Sequence, residues 1–227
     1  KAALGLFDPE PGAPPPISAV GCEEHRRVAR EAARRSVVRL RDRGALPIPP
    51  GASVVVGGPA GDDVGYQCGG WTVEWYGAPG PITPGTTLLE GLREVRSGPV
   101  ARFAEADPEE RFDVGVFAAA ETPYAEGMGD CSEPRPVFDE AAFEAMRSRC
   151  RHLILVVFSG RPVLLPPEAE LADALVAAWW PGTEGAGVAE VLAGIHPFEG
   201  RLTQPWPASA ADLDDPDAEP LFSIGSG

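Results

Sequence analysis

Four short apolar runs constrain the fold more than any other feature: SVVVGG (53–58), DVGVFAAA (113–120), HLILVVFSG (152–160) and DALVAAWWPG (173–182). They are too short and too continuously apolar to be surface elements, which is how buried parallel strands read. Helical segments fall between or after them, at 86–95 with Thr86 or Thr87 as the cap, and at 138–149, 167–172 and 185–193. A further helix is expected from Glu23 to Arg43. There Val28, Ala32, Ala33, Ser36, Val37 and Leu40 recur at helical spacing, and Gly44 ends the run. This alternation predicts an α/β fold: an open, mostly parallel sheet with helices on both faces, a three-layer α/β/α sandwich. In such sheets ligands sit outside the carboxyl ends of the strands.

The chain divides into a Pro- and Gly-rich strap (1–22), the sandwich (23–202) and a C-terminal strap or tail (203–227) whose acidic run DLDDPDAEP reads as solvated. The 227 residues carry 19 basic and 34 acidic side chains, a net charge of −15, which argues against binding a nucleic-acid backbone. No apolar run is long enough to span a membrane. There is no Asn, hence no N-x-Ser/Thr glycosylation acceptor. Cys22, Cys68, Cys131 and Cys150 lack zinc-site spacing, and they fit free buried thiols better than a disulfide. No G-x-G-x-x-G or G-x-x-x-x-G-K-[ST] follows the first strand, so a nucleotide-binding protein is disfavoured. Ser159 lacks a G-x-S-x-G elbow and a histidine partner.

The candidate chemistry lies in loops at strand ends. GYQCGGWTVEWYG (65–77) gathers Tyr66, Trp71, Trp75 and Tyr76 in a glycine-rich stretch suited to stacking on sugar rings. Trp71, flanked by glycines, is assigned to a site and Trp75 to plugging the sandwich surface. In ETPYAEGMGD (121–130), Glu121 stands directly at a strand's carboxyl end, with Tyr124, Glu126 and Asp130 close behind. A half-buried carboxyl near other acids acquires the raised pKa of a general acid. In SGRP (159–162), Arg161 can pair with acids of the neighbouring loop, structurally or to orient substrate. Thr183 is expected to cap the helix after PGTEG, with Glu184 in its first turn.

GGWTVEW (69–75), ETPYAEGMGD (121–130), FSGRPVLL (158–165), DALVAAWWPGTEG (173–185) and EHRRVAREAARRSVVRL (24–40) resemble stretches of the second domain of glycoside hydrolase family 3, with motif order preserved. The exo-glucanase and β-glucosidase branch is the most similar. The resemblance implies a two-domain retaining β-glycosidase acting on β-glucosides or β-glucan oligosaccharides. An N-terminal (β/α)₈ barrel, absent from this chain, supplies the aspartate nucleophile, and the sandwich supplies the acid/base. By the match Glu121 is that acid/base and Trp71 stacks on the sugar beyond the cleaved bond, with Tyr124, Glu126 and Arg161 as further substrate-binding candidates. No cofactor or metal is implied, and a periplasmic or secreted location is suggested. LGLFDP (4–9) resembles the stretch that follows the barrel, and the serine-aspartate-tryptophan signature of the nucleophile does not occur. Alone, the chain is expected to hydrolyse nothing well. The alternative is a non-catalytic carbohydrate-binding or scaffolding domain derived from the same family.

Overall fold

The computed structural model describes residues 1–7, 16–213, 215 and 217–227. In chain order its elements are α1 (Glu23–Ser36), β1 (Val38–Asp42), β2 (Val54–Gly57), α2 (Val64–Cys68), α3 (Leu88–Val95), β3 (Val100–Arg102), β4 (Phe112–Ala120), α4 (Glu140–Arg149), β5 (Cys150–Phe158), β6 (Ala174–Ala177) and α5 (Gly185–Leu192). The four apolar runs are β2, β4, β5 and β6. They form the middle of one sheet of order β1-β6-β5-β4-β2-β3, in which only β1 runs antiparallel to its neighbour.

Period-two alternation explains why these strands have no polar face. Val114, Val116, Ala118 and Ala120 enter one layer with Leu88, Leu89 and Leu92 of α3 and Val188, Val191 and Leu192 of α5. Phe117 and Ala119 enter the opposite layer with Phe143 and Met146 of α4 and Trp206 of the C-terminal segment. The three-layer sandwich is therefore as expected. Helix α1 lies outside α5, tied to it by Arg30 and Arg34 on Glu190 and, just before α5, by Arg26 on Glu184. Thr87 and Glu90 form a reciprocal capping box that starts α3. Among the described residues no helix is long and apolar enough to cross a membrane.

Several local expectations are corrected. The first helix stops at Ser36, because Val38 and Leu40 turn inward as part of β1 against β6. Gly44 lies in the turn after that strand, where its N–H donates to Asp42. Thr183 does not cap α5. The cap position is Glu184, and the Thr183 hydroxyl donates to the Glu184 carboxylate instead. The segment at 167–172 is a 3-10 turn, Pro167–Leu171, and the short α2 and β3 are additions to the expected elements. In the N-terminal strap Leu4, Leu6, Phe7, Ile17 and Val20 are exposed, and residues 8–15 lie outside the described residues. The acidic run is described except at Asp214 and Pro216, and its Asp212 accepts from Ala208 and Ser209. All four cysteines are free. Cys68 and Cys150 are buried, Cys131 is exposed, and burial pushes the Cys150 thiol up to about 11.

Candidate functional site

Parallel pairing sets the site. Ala120 of β4 stands opposite Phe158 of β5, so Glu121 and the segment Ser159–Arg161 leave the sheet side by side. The Glu121 N–H still donates to the Phe158 carbonyl at 2.8 Å, which fixes its backbone as an extension of the ladder. The residue is buried, 4% exposed, and its side chain meets the next loop directly. Arg161 Nε donates to Glu121 Oε1 at 2.8 Å, and the Gly160 N–H approaches Oε2 at 3.3 Å. The buried Ser159 hydroxyl donates to the Arg161 carbonyl at 2.7 Å and holds that turn in shape.

Burial raises the Glu121 pKa, while Arg161 and then the Gly160 N–H work against it by favouring the carboxylate. This corrects the expectation that neighbouring acids would hold its proton. Glu126 is exposed, begins the 3-10 turn Glu126–Gly129 with φ 49°, and its carboxylate has no hydrogen bond or ion pair among the described residues. The group facing Glu121 is a guanidinium. Opposed influences of this kind suit a carboxyl that must be protonated in one step and charged in the next.

The loops that leave β2, β4, β5 and β6 meet on Trp180. A Cβ on Gly69 would fall 2.2 Å from its ring and one on Gly160 2.8 Å, so two loops pass the indole only because they lack side chains there. Tyr124 packs against the same indole at 5.3 Å and 59°, and its ring carries the Arg161 guanidinium at 4.6 Å. Thus Glu121, Tyr124 and Arg161 are brought together and Glu126 is not. Trp180 and the Gly160 N–H belong to the site but do not stand out in the sequence. The only signal for Trp180 is its place at a strand's carboxyl end.

Trp71 stands on a tight hairpin beside this cluster. Its N–H donates to the Trp75 carbonyl at 3.0 Å, and Thr72 bridges Glu74. A Cβ on Gly70 would fall 1.8 Å from the Tyr124 carbonyl oxygen, so the hairpin lies directly on the Glu121–Ala125 loop. Trp71 is 68% exposed. Trp75 does not plug the surface as expected: it is 50% exposed, with its ring stacked on Tyr76 at 4.9 Å.

Comparison with known proteins matches residues 37–227 to the family described as Glycosyl hydrolase family 3 C-terminal domain. The lysosomal beta glucosidase of Dictyostelium discoideum is 28% identical, in an alignment covering 100% of this chain and 32% of that protein. The periplasmic beta-glucosidase of Salmonella typhimurium is 27% identical over 83% of this chain and 29% of its own length. Among solved structures, the exo-1,3/1,4-beta-glucanase from a Pseudoalteromonas species is 32% identical with a TM-score of 0.77, covering 91% of this chain and 28% of that one. The beta-glucosidase from Listeria innocua also reaches a TM-score of 0.77, at 25% identity over 100% of this chain and 37% of that one. The chain spans about a third of the length of the curated relatives it matches.

Proposed function

The chain belongs to the glycosyl hydrolase family 3 C-terminal domain family, and on that basis we propose that it carries the acid/base of a retaining, exo-acting β-glucosidase or β-glucan glucohydrolase. Glu121 is the acid/base. The observation that supports this reading is its place at the carboxyl end of β4, buried but held by Arg161 at 2.8 Å. Retaining hydrolysis needs two carboxyl groups about 5–5.5 Å apart, one attacking the anomeric carbon and one protonating the leaving oxygen, then activating water. An N-terminal (β/α)₈ barrel is the source of the aspartate nucleophile. Trp71 offers its exposed face to the sugar on the leaving-group side, and the rest of the hairpin keeps it beside the Glu121 loop.

The experiment is turnover of a β-glucoside by this chain with and without a family 3 barrel domain, in cis or in trans. The expected result is negligible hydrolysis by the chain alone and turnover on assembly. Strong turnover by the isolated chain rejects the divided site. An assembled pair that binds glucoside through Trp71 without hydrolysing it favours the non-catalytic sugar-binding alternative.

Arg161 is the positioning residue for Glu121. Its guanidinium favours the carboxylate, so Arg161→Gln is expected to move the Glu121 titration to higher pH, read by carboxyl-carbon NMR on this chain. The sign carries into stability. A carboxyl whose folded pKa lies above its unfolded value makes the fold less stable as pH rises from the unfolded to the folded pKa. The variant should therefore lose more melting temperature than the parent across that window. A Glu121 titration that stays put, or moves to lower pH, rejects control by Arg161.

A further inference from the structure

The hairpin that carries Trp71 holds two more aromatic side chains that the acid/base reading does not use. Trp71 and Trp75 lie 6.0 Å apart with planes at 50°, and Trp75 and Tyr76 lie 4.9 Å apart with planes at 14°. The three rings form a continuous row, and each is substantially exposed: 68%, 50% and 44%. Their backbone is strained. Trp71 and Val73 have φ of 61° and 63°, and a left-handed β-branched residue is a rare outlier. Such conformations persist only where the surroundings over-determine them, and they gather at ligand-binding places. Here the surroundings are the Trp71–Trp75 hydrogen bond, the Thr72–Glu74 bridge and the close approach of Gly70 to Tyr124.

We propose that Trp75 and Tyr76 form a second carbohydrate platform, which binds a pyranose ring of a β-linked glucan further from the cleaved bond than the ring opposite Trp71. The inference rests on the sugar-cleaving reading of the site above. Three observations favour a sugar chain as the occupant. The row begins at Trp71, on the hairpin whose Gly70 lies against the Tyr124 carbonyl of the loop that Glu121 opens, so a glucan leaving the acid can run on along the same hairpin. Thr72 and the exposed Glu74 lie between Trp71 and Trp75 in the sequence and offer an oxygen donor and acceptors for hydroxyl groups, while the C–H faces of the sugar cover the aromatic faces. Residues 59–85 contain no Lys or Arg and the chain carries a net charge of −15, which suits a neutral polymer and disfavours an anionic lipid surface or a nucleic acid.

The test uses this chain as it stands, titrated with β-1,3-linked glucose oligomers of two and six units by calorimetry, with the double variant Trp75→Ala/Tyr76→Ala and the single variant Trp75→Phe alongside. The native chain should bind the six-unit oligomer more tightly than the two-unit one. The double variant should lose about tenfold or more in affinity for the longer oligomer and stay within experimental scatter for the shorter. Trp75→Phe, which keeps a ring, should recover most of that loss. The titration reads binding and not hydrolysis, so a failure of the acid/base reading appears in the turnover of the assembled enzyme and not here. The proposal is overturned if the native chain does not bind the six-unit oligomer, or if the double variant loses both oligomers equally. It is overturned also if the double variant keeps the longer oligomer and instead loses assembly with a barrel domain, since the rings would then be a protein interface.

Discussion

Glu121→Gln in the enzyme assembled from this chain and a barrel domain is expected to lower turnover of an unactivated β-glucoside by about two to four orders of magnitude. The substitution removes the transferable proton, and with it the charge that pairs with Arg161 and the oxygen that accepts from the Gly160 N–H. The amide oxygen can still accept from Arg161 Nε, now at 2.8 Å from the carboxylate, and the side chain keeps nearly the same volume in a pocket only 4% exposed. Folding should therefore survive. The size of the loss depends on the leaving group, which separates this role from a general disruption. A dinitrophenyl glucoside needs little protonation to depart, so its first step should be nearly unaffected. Its second step still needs a base toward water, so the glycosyl-enzyme should accumulate and a burst of phenolate should precede slow turnover. Added azide, an anionic nucleophile that requires no deprotonation, should restore turnover of the activated substrate. If the unactivated glucoside is still turned over at near-native rate, the proton comes from elsewhere, and Glu126 is the first group to replace.

How much of this is legible in the sequence depends on which forces place each residue. β4 and β5 can be read directly, because helices cover both faces of the sheet and leave runs such as LILVVF without a polar alternate. Val37 to Leu40 cannot. Val38 and Leu40 are inward in β1 and Arg39 outward, a period of two that over four residues also satisfies helical spacing. The choice is made by a partner far away in sequence, β6, through the pairing of Val38 with Ala177. Within the site, Glu121 and Arg161 are legible because both follow strand ends that parallel pairing must bring level. Burial as the cause of the raised Glu121 pKa is legible too, but the charge that faces it is not. Acids abound nearby in sequence, but Glu126 turns to solvent on its left-handed backbone while an arginine 40 residues away faces Glu121. Trp180 is hidden for the same reason, since its role exists only where four loops distant in sequence meet.

The C-terminal segment is expected to be as necessary to the fold as a sheet strand, and Trp206→Ala should show it by lowering stability by about 3–5 kcal/mol. Trp206 is fully buried in the layer that holds Phe117, Phe143 and Met146, and its ring lies 6.0 Å from that of Trp179. Its indole Nε1 donates to the Val163 carbonyl at 2.8 Å, and its backbone pairs with Phe222, closing the segment on itself. Alanine would leave a large cavity and a buried carbonyl without its donor, two costs that add. For a chain of this size the melting temperature should fall by about 6–20 °C. Trp206→Phe, which fills most of the cavity but cannot donate, should lose only about 1–3 kcal/mol, mainly from the unpaired carbonyl. A change of less than about 1 kcal/mol in the alanine variant would instead make the segment an appendage. The consequence reaches the site, because Val163 is two residues from Arg161. Loosening that stretch frees the guanidinium from Glu121, so a folded Trp206→Ala chain should titrate Glu121 at higher pH, in the same direction as Arg161→Gln. If the Glu121 titration is unmoved in a chain whose stability has fallen as expected, Trp206 supports the core alone and the Ser159 turn suffices to hold the ion pair.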